Sequence, residues 1–375
     1  MFKIKKQINT LYITHLLSEL SITGAWVAIL AARGFSLVQI GFAETIFHIT
    51  SLIFEIPSGL LADVYGRKKM LVISNLMTAL GAFVMAMTSG FIGVCISISF
   101  HALGYNFASG SRDALAYDSF KKVKKESRYE RYVSNQSIIY RVANGISTLC
   151  AGVALFIGYR PAYLISAVTS VVAMIITMTL KEVKIEENGK SEGQQEETVH
   201  KNIFLQMIIQ VAAYFRDSIL FLFRNSKATK LMFANSLIGA IDTLLLFFLQ
   251  SNLRDAGLSD KLLGLALFTM EIGGIIGAKL ILKTKNVKYA YVFTICTLGV
   301  LAGVLLEHTS MVVIMTLGGF ISAMADDALE IRTGAKLQDM FPSQQRATLV
   351  SISSFTFSVI MIVLSPLAGY FFSVW

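Results

Sequence analysis

The chain has 375 residues, of which 54% are hydrophobic and only 15% charged, and it carries a formal net charge of +9. A soluble domain has roughly a quarter charged residues, so this balance, with a mean hydropathy of +0.63, excludes an ordinary water-soluble enzyme and points to a lipid bilayer as solvent. Cys95, Cys150 and Cys296 all fall in apolar stretches and give neither a disulfide framework nor a metal-ligand spacing.

Crossing a ~30 Å hydrocarbon core takes about 20 helical residues. Runs of that length are predicted at 8–31, 38–62, 70–88, 91–112, 134–157 and 160–180, then at 229–253, 261–282, 288–306, 309–330 and 347–374, eleven in all. They are read as helices because backbone polar groups in lipid must be satisfied within the segment or in a closed barrel, and a barrel's two-residue alternation is missing. The first run follows Lys3, Lys5 and Lys6 but has spanning length, carries Glu19 and lacks a small-residue cleavage site, so it is not a signal peptide.

Placing the N-terminus in the cytoplasm puts 26 lysines and arginines in inward-facing segments and leaves only Arg33, Arg160, Arg254 and Lys261 outside, a strong positive-inside bias. The positive charge is thereby explained by cytoplasmic loops, and no nucleic-acid surface is needed. Between the sixth and seventh spans, Lys181 to Lys201 is polar, as a solvated linker should be. Ile203 to Phe223 then sets Gln206, Gln210, Asp217 and Arg224 on a stripe opposite Phe204, Met207, Ile208, Val211, Phe215 and Leu222, the pattern of a helix lying in the membrane interface. Counting it as a span would move the basic loops at 283–288 and 332–346 outside. The predicted division is a six-span bundle over 1–180, a linker over 181–228 and a five-span bundle over 229–375. Trp375 closes the chain directly after the eleventh span.

Glu55-Ile56-Pro57-Ser58-Gly59-Leu60-Leu61-Ala62-Asp63-Val64-Tyr65-Gly66-Arg67-Lys68-Lys69 is a charged, glycine-bearing hairpin between two apolar runs. Gly59 and Gly66 suit close packing or a sharp turn, Pro57 marks the end of the second span, and the cations face the anionic inner leaflet. The stretch resembles the loop between the second and third helices of the major facilitator superfamily at Gly59, Asp63, Gly66, Arg67 and Lys68. That resemblance implies an all-α membrane fold of two pseudo-symmetric bundles, here with the twelfth helix missing. It also implies that Asp63 caps the eleventh helix near Arg346 to Leu349, that Arg67 pairs with Asp118, and that these contacts lock the halves together on the cytoplasmic side. A weak internal echo, Arg112 before Asp118-Ser119-Phe120 and Arg332 before Asp339-Met340-Phe341, fits a repeat.

Ionisable groups inside spans are costly and by default functional. Glu19 and Asp242 sit at matching depths in the first helix of each half, and the resemblance implies that those helices line a central cavity; they are the leading candidates for a coupling proton or a cationic substrate. Glu271 and the Asp326 and Asp327 pair come next. Glu44, Glu55, Arg141, Lys279, His15, His48 and His101 rank lower. The arginine in the middle of the fourth helix and the Gly-Pro pair in the fifth that mark drug antiporters of the family are not found at Ser99 to Asn106 or Gly145 to Gly152. No H-E-x-x-H, nucleophile elbow or phosphate-cradling loop supports an enzyme. The expectation is a multi-pass plasma-membrane transporter, monomeric and without metal or cofactor, exporting a small organic or drug-like solute by alternating access, driven by the proton gradient. The rivals are proton-linked uptake of a metabolite and a non-transporting or truncated membrane receptor.

Overall fold

The computed structural model describes residues 3–183, 203–224, 226–284, 286–340 and 346–374. They form helices without a strand among them: α1 Ile4–Glu19, α2 Trp26–Ala32, α3 Leu37–Tyr65, α4 Arg67–Met87, α5 Phe91–Ala108, α6 Ser111–Lys122, α7 Tyr129–Leu149, α8 Ala151–Ile157 and α9 Tyr159–Met178. After the linker come α10 Ile203–Arg224, α11 Ser226–Asp255, α12 Asp260–Leu280, α13 Tyr289–Glu307, α14 Val312–Asp339 and α15 Arg346–Val374. The polar linker stretch 184–202 and Phe341 lie outside the described residues, so the linker and echo expectations there stay as sequence readings.

Three predicted spans are broken. The first divides between α1 and α2, because Ser21, Thr23 and Gly24 are poor helix formers and the orphan amides of α2 find another acceptor. The Gln250 side-chain oxygen accepts from Val27 N at 3.2 Å and from Ala28 N at 3.4 Å. The fourth breaks at Ser109-Gly110, where Gly110 holds φ 72°, and resumes as α6. The fifth bends by 43° between α7 and α8. Among the described residues ten helices, or eleven counting the bent pair, are long and apolar enough to cross a membrane; Leu205–Arg224 of α10 is in that set, while the broken first span is not. The total of eleven thus stands with different members. Only 6% of the apolar stretch of α10 is buried within the protein.

The expected hairpin at Glu55 to Lys69 is a correction. Pro57 lies inside α3, which continues to Tyr65, and the turn is the single residue Gly66 before α4 begins at Arg67.

The described residues pack as two compact units, residues 1–21, 50–144 and 163–219 in one, and 22–49, 145–162 and 220–375 in the other. In the first, Ile8, Leu11, Leu71, Leu115, Phe120, Tyr132 and Leu180 bury a common core. There α4 and α5 are tied by Ser74 donating to the Gly104 carbonyl at 2.7 Å and Ser97 to that of Gly81 at 2.8 Å. In the second, Ile238, Val292, Cys296, Val300, Ala325 and Leu329 join α11, α13 and α14. Apolar area gains nothing by leaving lipid for protein, so helices in a bilayer associate through small residues and close backbones. Gly273 and Gly277 of α12 accordingly lie against the Phe320 and Met324 carbonyls of α14. The same device joins Gly41 to Ser365, Gly369 to Leu37, Gly152 to Asp260 and Gly264 to Leu149, all within this second unit.

Candidate functional site

In the first unit, Gly66 takes φ 99° and ψ 144°, a conformation suited to glycine alone. The turn aims the first amides of α4 at a carboxylate: Arg67 N donates to Glu182 Oε1 at 3.2 Å and Lys68 N to Glu182 Oε2 at 2.9 Å. A Cβ on Gly66 would stand 2.6 Å from that same Oε2, so the glycine both turns the chain and leaves the carboxylate its seat. The Arg67 guanidinium bonds Asp118, the partner that the resemblance implied, and donates to the Ala114 carbonyl at 3.1 Å. Asp63 is exposed, and its expected meeting with Arg346 to Leu349 lies outside the described side chains. Among the described residues a Cβ at Gly59 meets nothing within 4 Å, so the close packing expected there is absent.

Glu19 is the last residue of α1, beside the break, and it does not stand alone. Arg112, one residue into α6 beyond the Gly110 break, places Nη1 at 2.5 Å from His15 Nδ1 and 3.8 Å from Glu19 Oε1, while His15 Nδ1 lies 3.6 Å from Glu19 Oε1. The α1 dipole, negative at its C-terminal end, opposes a charge on Glu19, and the guanidinium favours it. Around them α7 supplies Tyr132, whose hydroxyl bonds Gln136, and Asn135, which donates to Tyr12 at 3.0 Å. Tyr12 and Tyr132 stack with centroids 5.2 Å apart.

In the second unit Asp242 of α11 is buried and accepts from the Ser322 hydroxyl of α14. Four and five positions beyond Ser322, Asp326 and Asp327 press against glycines: Asp326 Oδ1 is 3.4 Å from the Cβ position of Gly239, and Asp327 Oδ2 crowds that of Gly274. Asp242 interacts electrostatically with Asp327 and Glu271, and Asp326 with Asp242 and Glu330. The sequence candidates Asp242, Glu271, Asp326 and Asp327 are thus gathered by α11, α12 and α14, with Glu271 at the exposed edge. No group of three or more metal-ligating side chains disposed to hold an ion occurs among the described residues.

Five residues were missed. Glu182 stands just after the sixth span, where an acid reads as solvated linker. Arg112 had a signal, since an arginine within a span is costly. Gln250, buried in α11, bonds α2 amides more than two hundred positions away, and Arg254 one turn on donates to the Ala28 carbonyl at 3.4 Å and to Asp260 at 2.7 Å. Glu307 is 3% exposed and accepts from Asn252 at 2.8 Å. Of the lower-ranked groups, Glu44 and His48 are paired at 3.2 Å, and Arg141 is exposed.

The family model described as Major Facilitator Superfamily matches residues 10–329. An uncharacterized MFS-type transporter of Bacillus subtilis (strain 168), YxaM, is 22% identical over 88% of this chain and 79% of its own length. An uncharacterized transporter of Buchnera aphidicola subsp. Schizaphis graminum is 29% identical over 38% of the chain and 35% of its own. Among solved structures, the D323A mutant of the nucleoside transporter NupG is similar with a TM-score of 0.76 at 15% identity, covering 98% of this chain and 92% of that one. A D-xylose-proton symporter reaches a TM-score of 0.68 at 12% identity, over 96% and 87%. These likenesses establish the fold.

Proposed function

The chain belongs to the major facilitator superfamily of membrane transporters, and we propose that it is a proton-coupled secondary transporter exporting a small organic solute across the plasma membrane. In this reading the N-terminus is cytoplasmic, 1–180 and 229–375 are the repeated bundles, α10 lies in the interface, and the monomer needs no cofactor beyond the proton gradient. The observation that carries it is the carboxyl set on α11 and α14, with Asp242 buried against Ser322. A carboxyl group held in apolar surroundings by one hydroxyl can accept a proton on one side and release it on the other. The Arg67 to Asp118 pair and the Glu182 cap support a switching role for the Gly66 turn. The second reading, uptake with protons, is favoured by the D-xylose-proton symporter among the similar structures.

The test is reconstitution in liposomes loaded with a pH dye. Nucleosides, sugars, peptides and organic ions are added outside in turn. Internal alkalinisation on adding a solute indicates exchange for protons and supports export; internal acidification indicates symport. A panel producing neither, with correctly inserted protein, sinks the transport reading.

A further inference from the structure

We infer that Arg112, His15 and Glu19 form the seat of an organic anion, a solute bearing a carboxylate or phosphate, which takes over the Arg112 donors when Glu19 accepts a proton. This names the substrate class for the transporter reading above and rests on it. The trio sits in one unit, at the junction of a break in the first span and a break in the fourth. Its only full cation is Arg112, whose side chain is 14% exposed, against 30% for Glu19.

The charge balance decides the class. At rest the guanidinium and the Glu19 carboxylate make a neutral pair, with His15 Nδ1 as an acceptor for Arg112. One proton onto Glu19 and one monovalent anion onto Arg112 leave the sum at zero. Net charge in an apolar setting is costly, so this exchange proceeds without creating any. A cation would meet Arg112 within 4 Å of the carboxylate it needs and would leave the site with one positive charge in excess. Other titratable groups nearby do not reverse this balance. Asp113, beside Arg112 on α6, is exposed and interacts electrostatically with Arg112 in the empty and the loaded site alike, so it does not alter the balance of the exchange; Tyr132 on α7 and Tyr12 on α1 are engaged with Gln136 and Asn135; Tyr105 on α5 faces Glu19 and Glu55, and Glu55 is bonded by Tyr214 at 3.3 Å. Arginine also offers the forked donor geometry that suits carboxylate and phosphate.

The experiment uses the full chain in detergent, without a gradient, and three probes of one shape: benzoate, benzylamine and benzyl alcohol. Thermal stabilisation gives an apparent affinity at about pH 5.5 and about pH 7.5, benzoate being ionised at both. Benzoate is expected to stabilise, with affinity at least about fivefold tighter at the lower pH, while benzylamine and benzyl alcohol do not. In weakly buffered solution one proton is taken up per benzoate bound. Glu19→Gln should abolish that uptake and make the affinity independent of pH, and Arg112→Gln should abolish binding. Should Arg112→Gln fail to fold, Arg112→Lys, which keeps a charge but loses the fork, is expected to weaken benzoate without loss of expression. Preferential stabilisation by benzylamine, no response to benzoate, or binding without proton uptake overturns the proposal. Because nothing is transported in this assay, such a failure leaves the transporter reading standing, and an anion that binds but never moves in liposomes would do the reverse.

Discussion

Gly66→Ala tests the turn before α4 in two separable parts. A side chain at φ 99° and ψ 144° costs about 1–3 kcal/mol in backbone strain. The added methyl also stands 2.6 Å from Glu182 Oε2, so the carboxylate must leave the Arg67 and Lys68 amides, and losing a helix cap costs about 0.5–2 kcal/mol. Together these give about 1.5–5 kcal/mol, and at roughly 2.1 cal/mol/K per residue of unfolding entropy the melting temperature falls by roughly 2–6 °C. The assay is thermal unfolding of purified protein for Gly66→Ala, Glu182→Ala and the pair. In the Glu182→Ala background the cap is already gone, so the glycine substitution should cost about 1 kcal/mol less than in the parent. A Gly66→Ala protein melting with the parent refutes the strain argument, and an equal cost in both backgrounds refutes the seat for Glu182.

Arg67→Asp should reduce transport severely and be partly restored by adding Asp118→Arg, since the two bond directly; losses that merely add in the double mutant would count against coupling. Asp242→Asn is expected to keep its bond with Ser322 and the fold but to lose gradient-driven accumulation while still permitting downhill exchange, and parental accumulation would make Asp242 structural. Gln250→Leu leaves the Val27 and Ala28 amides without their acceptor, at about 1–3 kcal/mol for a buried unsatisfied donor. Cysteine placed at Ala28 in a background free of Cys95, Cys150 and Cys296 should then react faster with an impermeant maleimide, and an unchanged rate would show that Gln250 does not hold α2. By contrast Gly59→Leu, which enters open space among the described residues, should leave thermal stability near the parent's; a large fall in melting temperature would contradict that geometry.

The helical fold was legible because its cause is local: a run of apolar residues in lipid has to close its own backbone bonds. Arg67 with Asp118 was legible through the family's motif. What escaped reading depended on distant partners. Glu182 looks like any linker acid until the first amides of α4 meet it, and the α1 to α2 break is held by a glutamine from another helix, so composition around Gly24 gives only half its reason. Pro57 misled in the other direction. Read as the end of a span, it lies within α3, where an interior proline is tolerated in membrane helices when neighbours satisfy the freed carbonyl. Glu19 was found by its depth, but its pairing with Arg112 appears only once the fourth span breaks at Gly110 and α6 begins.

The backbone approaches at Gly41 with Ser365, Gly369 with Leu37, Gly152 with Asp260 and Gly264 with Leu149 differ from the Arg67 to Asp118 pair in the range of the force that holds them. Dispersion at such contacts amounts to about 0.1–0.2 kcal/mol per atom pair and loses a quarter to a half of its value over a gap of about 0.5–1 Å. Attraction between unit charges falls only as the inverse of distance. A seam built of glycines therefore releases abruptly: it holds nearly at full strength or hardly at all, and salt has little purchase on it. An ion pair stretches, keeps pulling, and weakens with ionic strength. Raising salt should soften the Arg67 to Asp118 pair while leaving the glycine seam as firm as before.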